Sequence, residues 1–168
     1  MYPIQRNRRL RANASLRALV QEFSLSPNDF IVPLFVIEGT QTKEEIPSMP
    51  GYYRMSIDLL STHVKSLWSL GLKSVLLFVK VPDALKDNLG TEALNPEGLM
   101  QRAIKTVKEA TPEMVVMTDV ALDPYSSYGH DGIVEAGKIV NDSTIKVLSK
   151  MALSHAHAGA DVVAPSDM

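Results

Sequence analysis

The sequence contains no cysteine. That absence excludes disulfides and every thiolate metal site, and it suits a cytoplasmic protein. No stretch approaches the roughly 18 consecutive apolar residues of a membrane span. The opening segment, MYPIQRNRRLRANAS, has no apolar core after its charges, so it does not read as a secretory signal. Charge of either sign is not in excess. The net charge is -2, which gives no reason to expect a nucleic-acid partner. Internal repeats and low-complexity tracts are also missing.

What remains is an ordinary globular composition. Hydrophobic residues make up 45% and charged residues 21% of 168 residues, which fits one domain. Arg6, Arg8, Arg9 and Arg11 form the one local basic patch. It reads either as a solvated arm or as a subunit contact. Residues 1–12 carry no apolar period and are expected to be an extended N-terminal arm. Residues 13–168 form the remaining body.

Along that body, strand and helix signals alternate. Asn13 is placed to cap a helix with a stripe at Leu16, Leu19, Val20 and Phe23. Phe30 to Ile37 is apolar on both faces, as a buried parallel strand requires, although Pro33 cannot donate to a ladder. Residues 38–55, with Gly39, Pro47, Pro50 and Gly51, read as a long loop. Ser56 opens a helix with a stripe at Ile57, Leu60, Val64, Leu67 and Trp68. Ser74 to Val79 is a second buried strand. Pro96 fits the first turn of a third helix, with Met100, Ala103, Ile104 and Val107 on its apolar side. A third strand starts at Met114 and ends near Asp119. Ile133 to Val140 reads as a hairpin turning at Gly137-Lys138. Asn141 or Asp142 is expected to cap a last helix with Ile145, Leu148, Met151, Ala152 and Ala156 on one side. Val162 to Ala164 is a fourth strand.

Alternation at this spacing implies an α/β fold with parallel strands and crossover helices. An open doubly wound sheet and part of a closed barrel both fit. A complete (β/α)8 barrel needs about 250 residues, so this chain supplies about half of one.

In such folds functional groups gather at the C-terminal ends of strands. The third strand end reads Thr118-Asp119-Val120-Ala121-Leu122-Asp123-Pro124-Tyr125-Ser126-Ser127-Tyr128-Gly129-His130-Asp131-Gly132. Asp119, Asp123 and Asp131 are candidates for one pocket. Clustered carboxylates raise one another's proton affinity or bind a cation. The plainer reading is that they form turns. Ser166 and Asp167 follow the fourth strand towards the same rim. Lys80 follows the second strand, as a loop cation or an imine-forming lysine. His155 and His157, two apart near a helix end, face different ways. They read as complements to the helix dipole and not as a metal pair.

The segment TDVALDPYSSYGHDG closely resembles the active-site segment of porphobilinogen synthases. NRRLRANASLRALVQE, PLFVIEG, IPSMPG, LGTEALNPEGL and ALSHAHAGADVVAPSDM resemble further blocks of that family, in family order. The resemblance implies the N-terminal half of a (β/α)8 TIM barrel: four parallel strands with crossover helices, behind an N-terminal arm. It implies condensation of two δ-aminolevulinate molecules to porphobilinogen with loss of two waters, and no organic cofactor. In some members three cysteines of this segment hold zinc. Their positions match Ala121, Asp123 and Asp131, so the resemblance is to the cysteine-free class. Zinc is then not expected, and Mg(II) or a monovalent cation at Asp123 and Asp131 is. Asp119, Asp123 and Asp131 would line the site, and Ser166 would approach a substrate. The family's two imine-forming lysines and its main allosteric magnesium ligand lie in the second half of its barrel. This chain is therefore expected to be a fragment of a longer enzyme, inactive alone. The family forms homo-octamers through N-terminal arms that wrap a neighbour. The alternative is a non-catalytic half-barrel module that associates with itself or with a separate C-terminal half.

Overall fold

The computed structural model describes residues 1, 3–5, 7–130 and 132–166. Asp131, Asp167 and Arg6, named above, lie outside the described residues. The described strands are β1 (Ile31–Ile37), β2 (Lys43–Glu45), β3 (Tyr53–Met55), β4 (Ser74–Lys80), β5 (Val115–Val120), β6 (Val134–Glu135), β7 (Lys138–Ile139) and β8 (Val162–Pro165). The helices are α1 (Ala14–Leu19), α2 (Ile57–Ser69), α3 (Leu99–Ala110) and α4 (Asn141–Ala158).

One six-stranded sheet has the order β2-β3-β1-β4-β5-β8. Within it β1, β4, β5 and β8 are parallel neighbours in chain order, as the alternation of signals predicts. Along β4 the side chains alternate. Val75, Leu77 and Val79 join the core, while Leu76 and Phe78 are half-buried on the other face. β5 behaves the same way: Val116, Thr118 and Val120 are buried, and Met117 and Asp119 are not. The core faces α2, α3 and α4, which lie side by side, α2 on α3 and α3 on α4. A doubly wound sheet would divide its helices between both faces. One-sided cover is instead the pattern of a barrel wall, with its helices outside.

The helical stripes explain this cover. Leu60, Val64 and Leu67 of α2 are buried, as are Met100, Ala103, Ile104 and Val107 of α3. Gly71, at φ 90°, ends the turn after α2, and Gly159, at φ 108°, ends α4. Both are left-handed positions that glycine adopts without strain.

Several expectations are corrected. Residues 38–55 are not a plain loop: β3 pairs with β1 in parallel through Phe35 and Val36, and β2 pairs antiparallel with β3. This pairing begins above Pro33, so one side of β1 at Pro33 is an edge, where proline is tolerated. Asn13 does cap α1, accepting from Leu16 N–H at 2.9 Å, but α1 stops at Leu19. Leu19 and Phe23 are then exposed instead of forming a buried stripe. The N-terminal segment is not extended throughout, since Arg9–Arg11 forms a 3-10 turn. Pro96 precedes α3, whose N-cap is Gly98. The hairpin turns at Ala136 and Gly137, both at positive φ, so Lys138 pairs with Glu135. Val140, and not Asn141 or Asp142, is the N-cap of α4.

Candidate active site

The ends of β1, β4 and β5 surround a cavity of about 330 Å³. Phe35 and Phe78 form its floor, their rings stacked at 5.1 Å between centroids. Asp119, Asp123, Arg54, Lys80 and Lys86 supply its polar wall. Asp119 reaches it because β5 alternates: Thr118 points to the helices and Asp119 to the opposite face. The parallel register pairs Asp119 with Ala164 and Val120 with Pro165. The next residue, Ser166, then donates from Oγ to Asp119 Oδ1 at 2.5 Å. The sequence-predicted pair Asp119 and Ser166 is thus brought into direct contact. Asp123 is exposed at the same rim, and Asp131 lies outside the described residues.

The cations are partnered, two of them by one carboxylate. Lys80 Nζ lies 3.1 Å from Glu44 Oε1, and Arg54 Nη1 lies 2.8 Å from the same oxygen. The Lys80 hydrogen bond, with the charges of Lys80 and Arg54, holds the Glu44 carboxyl below its ordinary range against the opposing effect of desolvation. An imine requires a free amine; Lys80 is instead an ion-pair donor. Lys86 pairs with Asp83 at 2.8 Å. Arg54 and Lys86 were not legible as site residues. Arg54 comes from the unforeseen strand β3, and Lys86 from the loop after β4.

Two buried polar groups lie behind the site. His155 is fully buried, its Nδ1 3.1 Å from Thr118 Oγ1, and its Nε2 has no partner among the described residues. Burial pushes its pKa down to about 4. The reading of His155 as a dipole complement is therefore corrected: it is a neutral core residue, and only His157 is exposed at the helix end. Tyr125 is also buried, and its hydroxyl is unpartnered among the described residues. Burial, with the charges of Glu92, Asp119 and Asp123, pushes its phenol well up. It stays protonated beneath the carboxylates.

Among the described residues no three His, Cys, Asp or Glu side chains are placed to hold a metal ion. The expected cation ligands, Asp123 and Asp131, include one residue outside that set.

The family model for delta-aminolevulinic acid dehydratase matches residues 4–168. The chain belongs to that family. It is 54% identical over 167 residues to the delta-aminolevulinic acid dehydratase of Methanothermus sociabilis, covering 99% of this chain and 51% of that protein. The Bacillus subtilis enzyme of the same name is 45% identical over 163 residues, covering 97% of this chain and 50% of its own length. Among solved structures, delta-aminolevulinic acid dehydratase (porphobilinogen synthase) from Toxoplasma gondii, in complex with the reaction product porphobilinogen, superposes with a TM-score of 0.91 at 50% identity. That match covers 100% of this chain and 48% of the other. The chain thus spans about half the length of the curated relatives it matches. The four-strand wall of this delta-aminolevulinic acid dehydratase family member corresponds to part of a barrel, as its topology requires.

Proposed function

We propose that this chain supplies the N-terminal half of a porphobilinogen synthase, which joins two δ-aminolevulinate molecules and releases two waters. The observation that carries the reading is the Ser166–Asp119 hydrogen bond at the mouth of a cavity that also holds Asp123. In this reading Asp119 accepts a proton or orients a substrate ammonium, and Ser166 fixes its carboxylate. Arg54 and Lys86, on the same wall, suit the substrate's carboxylate. The imine-forming lysines belong to the half that this chain does not include. Mg(II) suits the oxygen donors of Asp123 and Asp131 and would supply charge stabilisation there.

The uncovered sheet face supports the need for a second half. Leu76, Phe78 and Met117 are only half-buried, and Ile31 and Val162 are exposed. Exposed Leu10, Leu19 and Phe23 near the N-terminus support an arm that seeks a neighbouring subunit in a homo-octamer. No helix among the described residues is long and apolar enough to cross a membrane.

The test combines this chain with the half of the Methanothermus sociabilis relative that it does not match, and assays porphobilinogen. Product from the combination and none from residues 1–168 alone is expected. Borohydride reduction of δ-aminolevulinate onto Lys80 of the isolated chain, with product, would overturn the fragment reading. A tight complex of the two halves without product would favour the non-catalytic module.

A further inference from the structure

α3 and α4 already lie side by side, so completing a barrel places no helix between them. The groove they leave encloses about 460 Å³. Its lining has two parts. Leu94, Pro96, Leu153 and Ala158 form an apolar part, in which Leu153 is left 56% exposed. Lys105 on α3 and Lys150, Ser154 and His157 on α4 form a polar part. Among the described residues no acidic side chain lines the groove. Positions 150, 154 and 157 follow one another at four and three, the spacing that stacks side chains on one helix face. Gln101 sets this polar part from beneath. It is buried, and its Nε2 donates to Ala93 O and to Ser154 Oγ, both at 3.0 Å. Gly98 leaves the room this carboxamide needs, since a Cβ there would stand 2.7 Å from Gln101 Oε1. Ser149 donates from Oγ to Ile145 O at 2.7 Å, but Ser154 makes no such backbone bond among the described residues. With its oxygen engaged by Gln101, Ser154 keeps its hydroxyl proton for a partner in the groove. Lys105 is already paired, its Nζ 3.1 Å from Glu97 Oε1. Lys150 and His157 have no ion-pair partner among the described residues.

We infer that this groove is a second binding site, for a small organic anion: a carboxylate carried on a single apolar ring. The carboxylate accepts from Lys150 Nζ and Ser154 Oγ, with His157 beside them, and the ring rests on Leu94, Pro96 and Ala158. Charge-assisted hydrogen bonds of this kind are stronger than neutral ones. Small-molecule sites combine a mostly apolar lining with a few placed polar groups, in about this volume. A bare inorganic ion would leave the apolar part unused. The N-terminal segment of a second copy, with Arg8, Arg9 and Arg11, has the wrong charge to fill the groove. None of the lining residues belongs to the cavity at the ends of β1, β4 and β5, and the inference does not depend on the reaction proposed above.

The experiment titrates 3-phenylpropionate into this chain, alone and combined with the complementary half described above, and reads calorimetry and NMR. A Kd of about 1 mM or tighter is expected, with shifts of the Gln101 carboxamide and the Leu153 methyls. Lys150→Met keeps the stem and removes the charge, and should weaken binding at least about five-fold. Ser154→Ala should weaken it roughly three- to ten-fold. Lys65→Met, at an exposed lysine on α2 outside the groove, should leave binding unchanged. 3-Phenylpropanol, which lacks the charge, and acetate, which lacks the ring, should each bind at least about five-fold more weakly. Absence of binding, equal binding of either control compound, or equal losses in the Lys65 and Lys150 variants would overturn the proposal. So would shifts confined to Leu76 and Phe78, which would put the probe on the uncovered sheet face. Binding to the chain alone that vanishes in the combined protein would also overturn it, because the groove would then be a contact within the assembly.

Discussion

His155 and Thr118 meet directly behind the active strand, 3.1 Å apart, on the face of β5 opposite Asp119. The imidazole is neutral, with a pKa of about 4 against the ordinary 6.5. Between those values the unfolded chain binds more protons than the folded one, so stability rises with pH across that window. It is complete above pH 6.5 and is progressively lost as pH falls to about 4. The loss approaches about 3 kcal/mol. His155→Leu should flatten this acid limb, which urea unfolding at about pH 7 and about pH 4.5 would show. An equally steep limb in the variant would contradict the assignment.

Asp161 sets the start of β8 on β5. Its N–H donates to Val116 O, and its Oδ2 accepts from Val116 N–H and from Lys108 Nζ, all between 2.8 and 2.9 Å. Desolvation opposes ionisation, but the Lys108 hydrogen bond, the Val116 N–H and the Lys108 charge outweigh it and hold the carboxyl below 3.8. Its contribution is present above that value and is lost only at still lower pH, below the His155 window. Asp161→Ala should cost about 1–3 kcal/mol, because Val116 N–H loses a charged acceptor. It should also loosen the register that puts Ser166 on Asp119. Unchanged urea stability would refute the lock.

Asp119→Asn keeps an oxygen for Ser166 Oγ but removes the charge. In the combined enzyme kcat/KM should fall by about 10²–10⁴-fold if Asp119 moves a proton. Ser166→Ala, which removes only the partner, should cost less. A smaller loss at Asp119 than at Ser166 would reverse the roles assigned here.

Elemental analysis of the combined, purified protein should show no stoichiometric zinc at the β5 end, since Ala121 and Asp123 offer no thiolate there. Added Mg(II), and not Zn(II), should alter activity or stability. One tightly held zinc lost on Asp123→Ala would contradict the cysteine-free reading.

The parallel wall was legible because β1 and β4 are near-continuous apolar runs and β5 opens with one, all between helices with clear stripes. β2 and β3 were not legible: each has three residues, β2 is Lys-Glu-Glu, and their pairing depends on β1 being in place. The phase of α4 was also misread. Its buried side is Thr144, Leu148, Met151 and His155, while Ile145 is exposed. Thr144 and His155 look polar in sequence, but Thr144 bonds Val140 and Ile133, and His155 bonds Thr118. At the site, Asp119 and Ser166 were readable from strand-end position and family likeness. Arg54 comes from the three-residue strand β3 and Lys86 from the loop after β4, and no local pattern announces either at the cavity.

The sheet also carries an order of events. β1 pairs with β3 and then with β4, β4 with β5 and β5 with β8, each with a strand that follows it along the chain. Every rung therefore waits only for the segment just synthesised, and a growing chain can complete this wall strand by strand. On the completed wall Leu76, Phe78 and Met117 are half-buried on the face away from the helices. An apolar face left half-open in this way is what a chaperone binds on a nascent chain.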